Sequence, residues 1–131
     1  MLSYVRSEPH KLTFSQRPTL RLEFADRWIE AHVAKWLSYR VISLQAAGQI
    51  PNYEASMAKL YMSELQQRIA ALGMHMIGLR GMIFDPKHRH AAMGGRVPFG
   101  YLNAVSATIA GGTSEIQRNI IATRGLGLPR A

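Results

Sequence analysis

Apolar residues recur three and four positions apart over residues 21–47, as one face of a helix requires. The stripe comprises Ala25, Trp28, Ile29, Val33, Trp36, Leu37, Val41 and Leu44. Gly48 ends this helix and the turn GQIPN follows, in which Asn52 can cap a second helix. The second stripe comprises Ala58, Tyr61, Met62, Leu65, Ile69, Leu72 and Met76. Because neither helix can bury its stripe alone, the pattern predicts an antiparallel helical hairpin.

The periodic pattern stops after Gly78. The segment LRGMIFDPKHRHAAMGGRVPFG, residues 79–100, is rich in glycine, proline and basic residues and predicts a long connection. A short helix over residues 101–109 follows, then a break at residues 110–112 and a last helix over residues 114–124. No alternating strand pattern occurs anywhere in the chain. The predicted fold class is therefore all-α.

The break before the last helix contains two adjacent glycines, Gly111 and Gly112. Ser114 and Gln117 have the spacing of a capping box, which places a helix N-terminus directly after these glycines. Such a terminus presents unpaired N–H groups and partial positive charge, and glycine lets a phosphate approach the backbone closely. A double glycine between two helices is, however, more often a tight corner than a ligand site. Geometry alone favours the corner.

Composition limits the size and location of the protein. At 131 residues and 47% hydrophobic content, the chain can bury one modest core, so it is a single domain or a piece of a larger one. The absence of cysteine excludes disulfides, Cys-ligated metals and thiol nucleophiles, and it fits a cytoplasmic location. No apolar stretch is long enough to span a membrane, and the N-terminus MLSYVRSEPHKL lacks the apolar core of a signal peptide. We expect a cytoplasmic protein without membrane association.

Net charge adds an expectation about partners. Sixteen Lys and Arg residues against eight Asp and Glu give +8, which favours anionic partners such as phosphorylated cofactors, coenzyme A, nucleic acid or an acidic subunit. The basic residues are scattered from Arg6 to Arg130, so no concentrated basic face is predicted and nucleic acid is not expected. His88 and His90 lie together on a loop, but a metal site needs three or four converging ligands. We predict no metal.

The run GGTSEIQRNIIATRGLGLPR, residues 111–130, resembles the C-terminal signature of the acyl-CoA dehydrogenases, flavoprotein oxidoreductases that introduce an α,β double bond into acyl-CoA thioesters. The resemblance extends upstream through EASMAKLYMSELQQRIAALGMHMIG and LRLEFADRWIEAHVAKWLSYR. The form GGTSEIQRNIIA is similar to that of bacterial enzymes of lipid and sterol degradation. The resemblance implies that residues 17–131 are the family's C-terminal helical bundle, with long antiparallel helices, and it leaves residues 1–16 unassigned. The family's other domains would lie outside this chain.

The same resemblance implies contacts to flavin adenine dinucleotide (FAD) on the motif TSE, which here is Thr113, Ser114 and Glu115. Gly111 and Gly112, directly before them, are implied contacts of the acyl-CoA substrate.

A second implied FAD contact is the family's QxxGG turn, in which a glutamine holds the flavin across a subunit interface. Here the turn reads HMIGL, with His75 in the glutamine position, Gly78 retained and Leu79 replacing the second glycine. A histidine near the end of an apolar helix is equally well explained by a hydrogen bond to the backbone.

No catalytic residue is assigned. Removing the α-proton of the thioester requires a carboxylate base, which many family members supply immediately before GT. That position is Gly111 here, and glycine accepts no proton. Glu115 lies beside the implied site, but an acid in the first helical turn is also favoured by the helix dipole. We interpret it as a flavin contact or a cap.

The sequence thus predicts the flavin-contacting, oligomerising C-terminal part of an acyl-CoA dehydrogenase-like enzyme of fatty acid β-oxidation or related lipid metabolism, incomplete and inactive alone. Its expected partners are acyl-CoA and either copies of itself or a complementary acyl-CoA dehydrogenase subunit. The alternative is a catalytically silent helical partner subunit or remnant that binds no flavin. His75, Leu79 and Gly111 favour this alternative.

Overall fold

The computed structural model describes Arg6 and residues 16–130. Four α-helices follow one another: α1 (Pro18–Ala46), α2 (Tyr53–Ile77), α3 (Arg96–Ala107) and α4 (Ser114–Ile120). Two 3-10 turns, Gly78–Met82 and Ala92–Gly95, lie between α2 and α3, and a π-helical turn, Ile121–Gly125, extends α4. The described residues contain no strand, which confirms the all-α prediction. Nearly all of the unassigned segment, residues 1–16, lies outside the described residues, so the boundary at residue 17 stays a prediction.

Helices α1 and α2 form the predicted antiparallel hairpin. Near one end, the Nδ1 atom of His75 lies 3.6 Å from a carboxylate oxygen of Glu23. Near the other, the guanidinium of Arg40 lies 3.8 Å from the carboxylate of Glu54. Late residues of α2 therefore meet early residues of α1, as an antiparallel pair requires.

Helix α1 buries only the C-terminal part of its predicted stripe, where Leu44 is buried and Leu37 and Val41 are half-buried. Its buried residues are Leu20, Ala34 and Leu44, whereas the side chains of Trp28 and Trp36 are 52% and 68% exposed. The physical reason is that apolar residues occur around almost the whole circumference of α1, so periodicity alone cannot select the face that packs on α2. An apolar outer surface remains on α1, which we define by its large members Trp28, Ile29 and Trp36.

Helix α2 is the centre of the fold, since it packs against α1, α3 and α4. Its buried apolar residues Ala58, Leu65 and Leu72 all belong to the predicted stripe. Asn52 precedes the helix as predicted, but its side chain does not cap the helix. Instead, its side-chain oxygen Oδ1 accepts a hydrogen bond of 2.8 Å from the guanidinium of Arg124, which connects the C-terminal segment to the start of α2.

Helix α3 begins at Arg96, five residues earlier than predicted, so the long connection was overestimated. Pro98 lies in the first turn, where a helical residue needs no intrahelical N–H bond, and so it does not prevent the helix. Gly95 precedes the helix with a φ of +72°, and a Cβ atom there would collide with the carbonyl of Phe84. The glycine and proline that indicated a loop are instead the residues that start α3.

Candidate functional site: the glycine corner

The two glycines lie in a tight turn between α3 and α4, residues 108–114, which we call the glycine corner. Its ends are joined by a hydrogen bond of 3.2 Å from the Ser114 N–H to the Thr108 carbonyl. Gly111 and Gly112 have φ angles of +68° and +92°, in the region that favours glycine. The corner interpretation of the double glycine is therefore correct, and whether it also binds a ligand depends on what surrounds it.

Two side chains of helix α2 donate hydrogen bonds to the corner. The ammonium group of Lys59 donates a short hydrogen bond to the carbonyl oxygen of Gly112. Two turns along α2, the side-chain amide of Gln67 donates to the hydroxyl oxygen of Thr108 at 2.9 Å. The position of the corner is thus fixed by the central helix as well as by its own backbone.

Gln117 supports the corner from α4. Its side chain is buried, and its amide nitrogen donates to the carbonyl of Gly111 at 3.0 Å and more weakly to that of Gly112 at 3.5 Å. A Cβ atom on Gly112 would lie 2.7 Å from this nitrogen, whereas a Cβ on Gly111 would meet nothing within 4 Å. Gly112 is therefore packed against Gln117, and Gly111 borders open space.

The helix cap is Thr113, and the predicted capping box of Ser114 and Gln117 is wrong by one residue. Thr113 has the extended backbone of an N-cap, and its hydroxyl oxygen accepts the N–H of Ile116 at 3.4 Å. Ser114 is the buried first residue of α4. Gln117 does not take part in the cap, because its side-chain amide donates to the carbonyls of Gly111 and Gly112.

The backbone of the corner is asymmetric in its hydrogen bonding. Both glycine carbonyls accept hydrogen bonds, but within residues 16–130 the N–H groups of Gly111, Gly112 and Thr113 donate to no acceptor. Successive free N–H groups at residues of positive φ are a common way for proteins to bind anions. They adjoin the start of α4, where the helix dipole also favours negative charge. This arrangement is chemically suited to a phosphate or another oxyanion.

Glu115 brings an ionised acid to the same place. Its side chain is exposed, and its pKa is lowered first by its own backbone N–H, then by the Thr113 hydroxyl and by the charge of Arg118. Arg118 also pairs with Glu64 of α2. A polar groove of about 340 Å³ beside the corner is lined in part by Glu64, Arg68, Glu115 and Arg118. Carboxylates in this position can accept hydrogen bonds from hydroxyl or amino groups of a ligand.

His75 and Gly78 lie elsewhere. The rise of α2 from Lys59 to His75 is about 24 Å, so the chain does not bring these residues to the glycine corner. Gly78 ends α2 with a φ of +64°, and nothing lies within 4 Å of where its Cβ would be. His75 is mostly exposed, and its side chain lies against the carboxylate of Glu23. The implied flavin contacts therefore form two separate places on one chain.

Sequence reasoning missed the supporting residues Lys59 and Gln67, and it gave Gln117 a different role, in the capping box. A signal for two of them exists in α2, where Lys59 and Gln67 stand eight residues apart with the buried Ser63 between them. Polar residues at this spacing share a helix face, and a polar face in the centre of a bundle needs partners.

No group of three or more histidine, aspartate or glutamate side chains able to hold a metal occurs in the described part of the chain. None of the described helices is long and apolar enough to cross a bilayer.

Comparison with known proteins identifies the family. A family model described as the acyl-CoA dehydrogenase C-terminal domain matches residues 1–126. This chain belongs to the acyl-CoA dehydrogenase family. It is similar to the acyl-CoA dehydrogenase FadE26 of Mycobacterium tuberculosis, with 33% identity over 116 residues that cover 86% of this chain and 28% of FadE26. The acyl-CoA dehydrogenase IpdE1 of the same organism is 30% identical over 118 residues, again 86% of this chain and 28% of the relative.

Solved structures of the acyl-CoA dehydrogenase type share the fold. The Tcur3481-Tcur3483 steroid ACAD superposes with a TM-score of 0.88 at 21% identity, over 99% of this chain and 33% of the solved chain. The ChsE4-ChsE5 complex from M. tuberculosis gives a TM-score of 0.78 at 32% identity, over 88% of this chain and 29% of the solved one. The chain thus spans less than a third of the curated relatives it matches. It corresponds to the C-terminal domain of an acyl-CoA dehydrogenase-like protein, in a family that is generally flavin-dependent.

Proposed function

We propose that this domain binds the dinucleotide of FAD at the glycine corner and works as one part of an acyl-CoA dehydrogenase-like oxidoreductase. The observation that carries the proposal is the row of free N–H groups at Gly111, Gly112 and Thr113. These donors suit the phosphates of a dinucleotide, because oxyanions bind strongly to backbone N–H groups at a helix start. Family membership makes FAD the dinucleotide to test first.

Each residue of the TSE motif has a separate task in this proposal. The Thr113 N–H holds a phosphate, while its hydroxyl caps α4 and donates to the Glu115 carboxylate. Ser114 fixes the corner through its backbone bond to Thr108. The ionised carboxylate of Glu115 accepts hydrogen bonds from the hydroxyl or amino groups of the dinucleotide. These residues bind and orient the dinucleotide, and none of them has to gain or lose a proton during the reaction.

The acyl-CoA substrate is proposed to approach the open side of Gly111, where a Cβ atom would meet nothing within 4 Å. Bound FAD supplies the hydride acceptor for the β-carbon of the thioester. Gly111 offers no group that accepts the α-proton, so the base belongs to a part of the enzyme outside this domain. We therefore expect no dehydrogenation by these 131 residues alone.

The second implied FAD contact, His75 and Gly78, is proposed to serve a flavin bound mainly by another subunit. Its distance along α2 from the corner supports this division. The apolar outer surface of α1 supports assembly, because exposed apolar surface of this extent usually marks an interface. The partner is either a second copy of this chain or a complementary acyl-CoA dehydrogenase subunit in the cytoplasm. The structural relative ChsE4-ChsE5 is a complex of two proteins.

A catalytically silent partner subunit is the second candidate function. Two observations favour it: Gly111 stands where many family members have the base, and His75 pairs with Glu23 within the hairpin. In that case the domain stabilises a partner and binds no flavin.

Flavin content distinguishes the two candidates. The chain is purified in the assembly that it forms in its natural host, and flavin absorbance per chain is measured after gel filtration. Thr113→Val removes the hydroxyl from the corner. Thr123→Val removes a hydroxyl that, within residues 16–130, donates to the Asn119 carbonyl of the same helical segment. We expect Thr113→Val to weaken FAD binding about tenfold, equivalent to about 1.4 kcal/mol, and Thr123→Val to leave it unchanged. Equal flavin content in both variants, or no flavin in any assembly, would support the silent partner instead.

A further inference from the structure

Lys59 occupies an unusual position for a lysine. It lies on the central helix, half buried, with its ammonium group on the carbonyl oxygen of Gly112. Within residues 16–130, no carboxylate lies within 4.0 Å of this ammonium group. Lys35, by contrast, is exposed on α1 and lies over the ring of Tyr39. The Lys59 side chain is thus directed to a backbone atom of the corner.

The hydrogen bond from Lys59 to the Gly112 carbonyl also fixes the direction of the next N–H group, that of Thr113. The Gly112 carbonyl and the Thr113 N–H belong to one peptide unit, and all peptide bonds of the described residues are trans. In a planar trans peptide, the N–H points opposite to the C=O. Because Lys59 draws this carbonyl towards α2, the Thr113 N–H is directed away from α2. Gln117 orients the peptide between Gly111 and Gly112 in a similar way. Its amide holds the Gly111 carbonyl, so the Gly112 N–H points away from Gln117.

We propose that Lys59 is a positioning residue, whose hydrogen bond to the Gly112 carbonyl aims the Thr113 N–H at the phosphate of the bound dinucleotide. The inference rests on the proposed function of the corner. A glycine peptide turns easily because no Cβ restricts it, so the corner needs an external bond to keep one orientation. A bond from a charged donor is about twice as strong as a neutral one, which makes lysine effective here.

The absence of cysteine allows Lys59 to be rebuilt chemically. In Lys59→Cys the new thiol is the only one in the chain, and alkylation can be verified by mass spectrometry. Iodoacetamide adds a neutral amide whose nitrogen stands as many bonds from the Cα as the lysine nitrogen does. Bromoethylamine adds an ammonium group at the same place, and Lys59→Met supplies a side chain with no donor. Lys35→Met is the matched control on an exposed lysine.

Two measurements are made on the native assembly that contains the chain. Hydrogen exchange of the peptide covering residues 108–116 reports the corner, including the Ser114 N–H bonded to Thr108. The rate at which FAD is released after dilution reports how tightly the dinucleotide is bound. We expect Lys59→Met to speed both about tenfold, while exchange in α1 stays unchanged. Both alkylated forms of Lys59→Cys should restore both rates to within about threefold of the native protein, and Lys35→Met should alter neither.

Native rates of exchange and release in Lys59→Met would overturn the proposal. Restoration by the ammonium group but not by the neutral amide would also overturn it, because charge rather than the hydrogen bond would then be the cause. If Lys59→Met does not fold, the two alkylated forms are compared directly, and FAD release differing by more than threefold is the contradicting result. If Thr113→Val lowers FAD binding and Lys59→Met does not, the proposed function stands and this inference fails. If no assembly binds FAD, the proposed function fails, and hydrogen exchange alone decides the role of Lys59 in the corner.

Discussion

The glycine corner and the C-terminal end of α2 are two places where the family motif implies a flavin contact, and they differ in how the chain builds them. The corner is held by side chains of α2 and α4, namely Lys59, Gln67 and Gln117. The end of α2 is exposed, and His75 contacts Glu23 of α1 at 3.6 Å. One place is therefore preorganised within the domain. The other requires neighbours from outside the described residues to become a site.

The largest expected effect on this comparison comes from Gly112→Ala. The new Cβ would meet the Gln117 nitrogen at 2.7 Å, and its φ of +92° disfavours any L side chain. We expect a loss of about 3 kcal/mol in the free energy of unfolding, measured by urea denaturation, from strain and overpacking together.

Gly111→Ala is the matched control for that prediction. Its φ of +68° is also positive, but its Cβ would meet nothing within 4 Å. Only the conformational cost of about 1–2 kcal/mol remains. Equal losses in the two variants would show that Gln117 is not packed against Gly112.

A direct comparison of the two places uses one substitution in each. Gln117→Met removes the amide that serves both glycine carbonyls and leaves these acceptors with fewer donors, at an expected cost of about 1.5 kcal/mol. His75→Met removes an exposed contact and should change stability by less than about 0.5 kcal/mol. Thermal unfolding of both variants measures the difference. A larger loss in His75→Met would reverse our view of which place is preorganised.

The smallest effect concerns the Glu115 carboxyl group. Its pKa is lowered in the folded protein, so its contribution to stability is present above its unfolded pKa and is lost as the pH falls through the folded pKa. Thr113→Val removes the hydroxyl that donates to this carboxylate and should raise the Glu115 pKa towards its ordinary value. Carbon-detected NMR titration of the carboxyl group measures the change. An unaltered pKa in Thr113→Val would mean that the hydroxyl serves only the helix cap.

Periodicity predicted the hairpin and the centre of the core because α2 has one clearly apolar face. In α1 it was right for the C-terminal part of the stripe and wrong for the N-terminal part, since Trp28 and Trp36 are as apolar as the residues that pack on α2. The pattern of α1 alone does not determine how this helix is rotated about its axis. That rotation follows from which face of α1 fits against α2. The start of α3 was missed for a related reason. Gly95 and Pro98 interrupt a helix in its middle but favour its beginning, and only the packing against Phe84 distinguishes these cases.

The candidate site was predictable in part. The glycine pair followed by a polar triplet indicated a helix start, and the structure has one there. The cap was misplaced because Thr113 and Ser114 are both good N-cap residues, and only the structure shows that Thr113 has the extended backbone of the cap. Lys59 contacts the corner from 53 residues away in sequence, so no local pattern could pair them.

Hydrogen exchange at the corner with and without FAD tests the central claim most directly. The N–H groups of Gly111, Gly112 and Thr113 have no acceptor among the described residues, so in the flavin-free assembly they should exchange quickly. We predict that saturating FAD slows exchange in the peptide covering residues 108–116 at least tenfold, while the peptide covering the π-helical turn Ile121–Gly125 is unaffected. Bound FAD without any slowing at residues 108–116 would contradict the claim that this corner holds the dinucleotide.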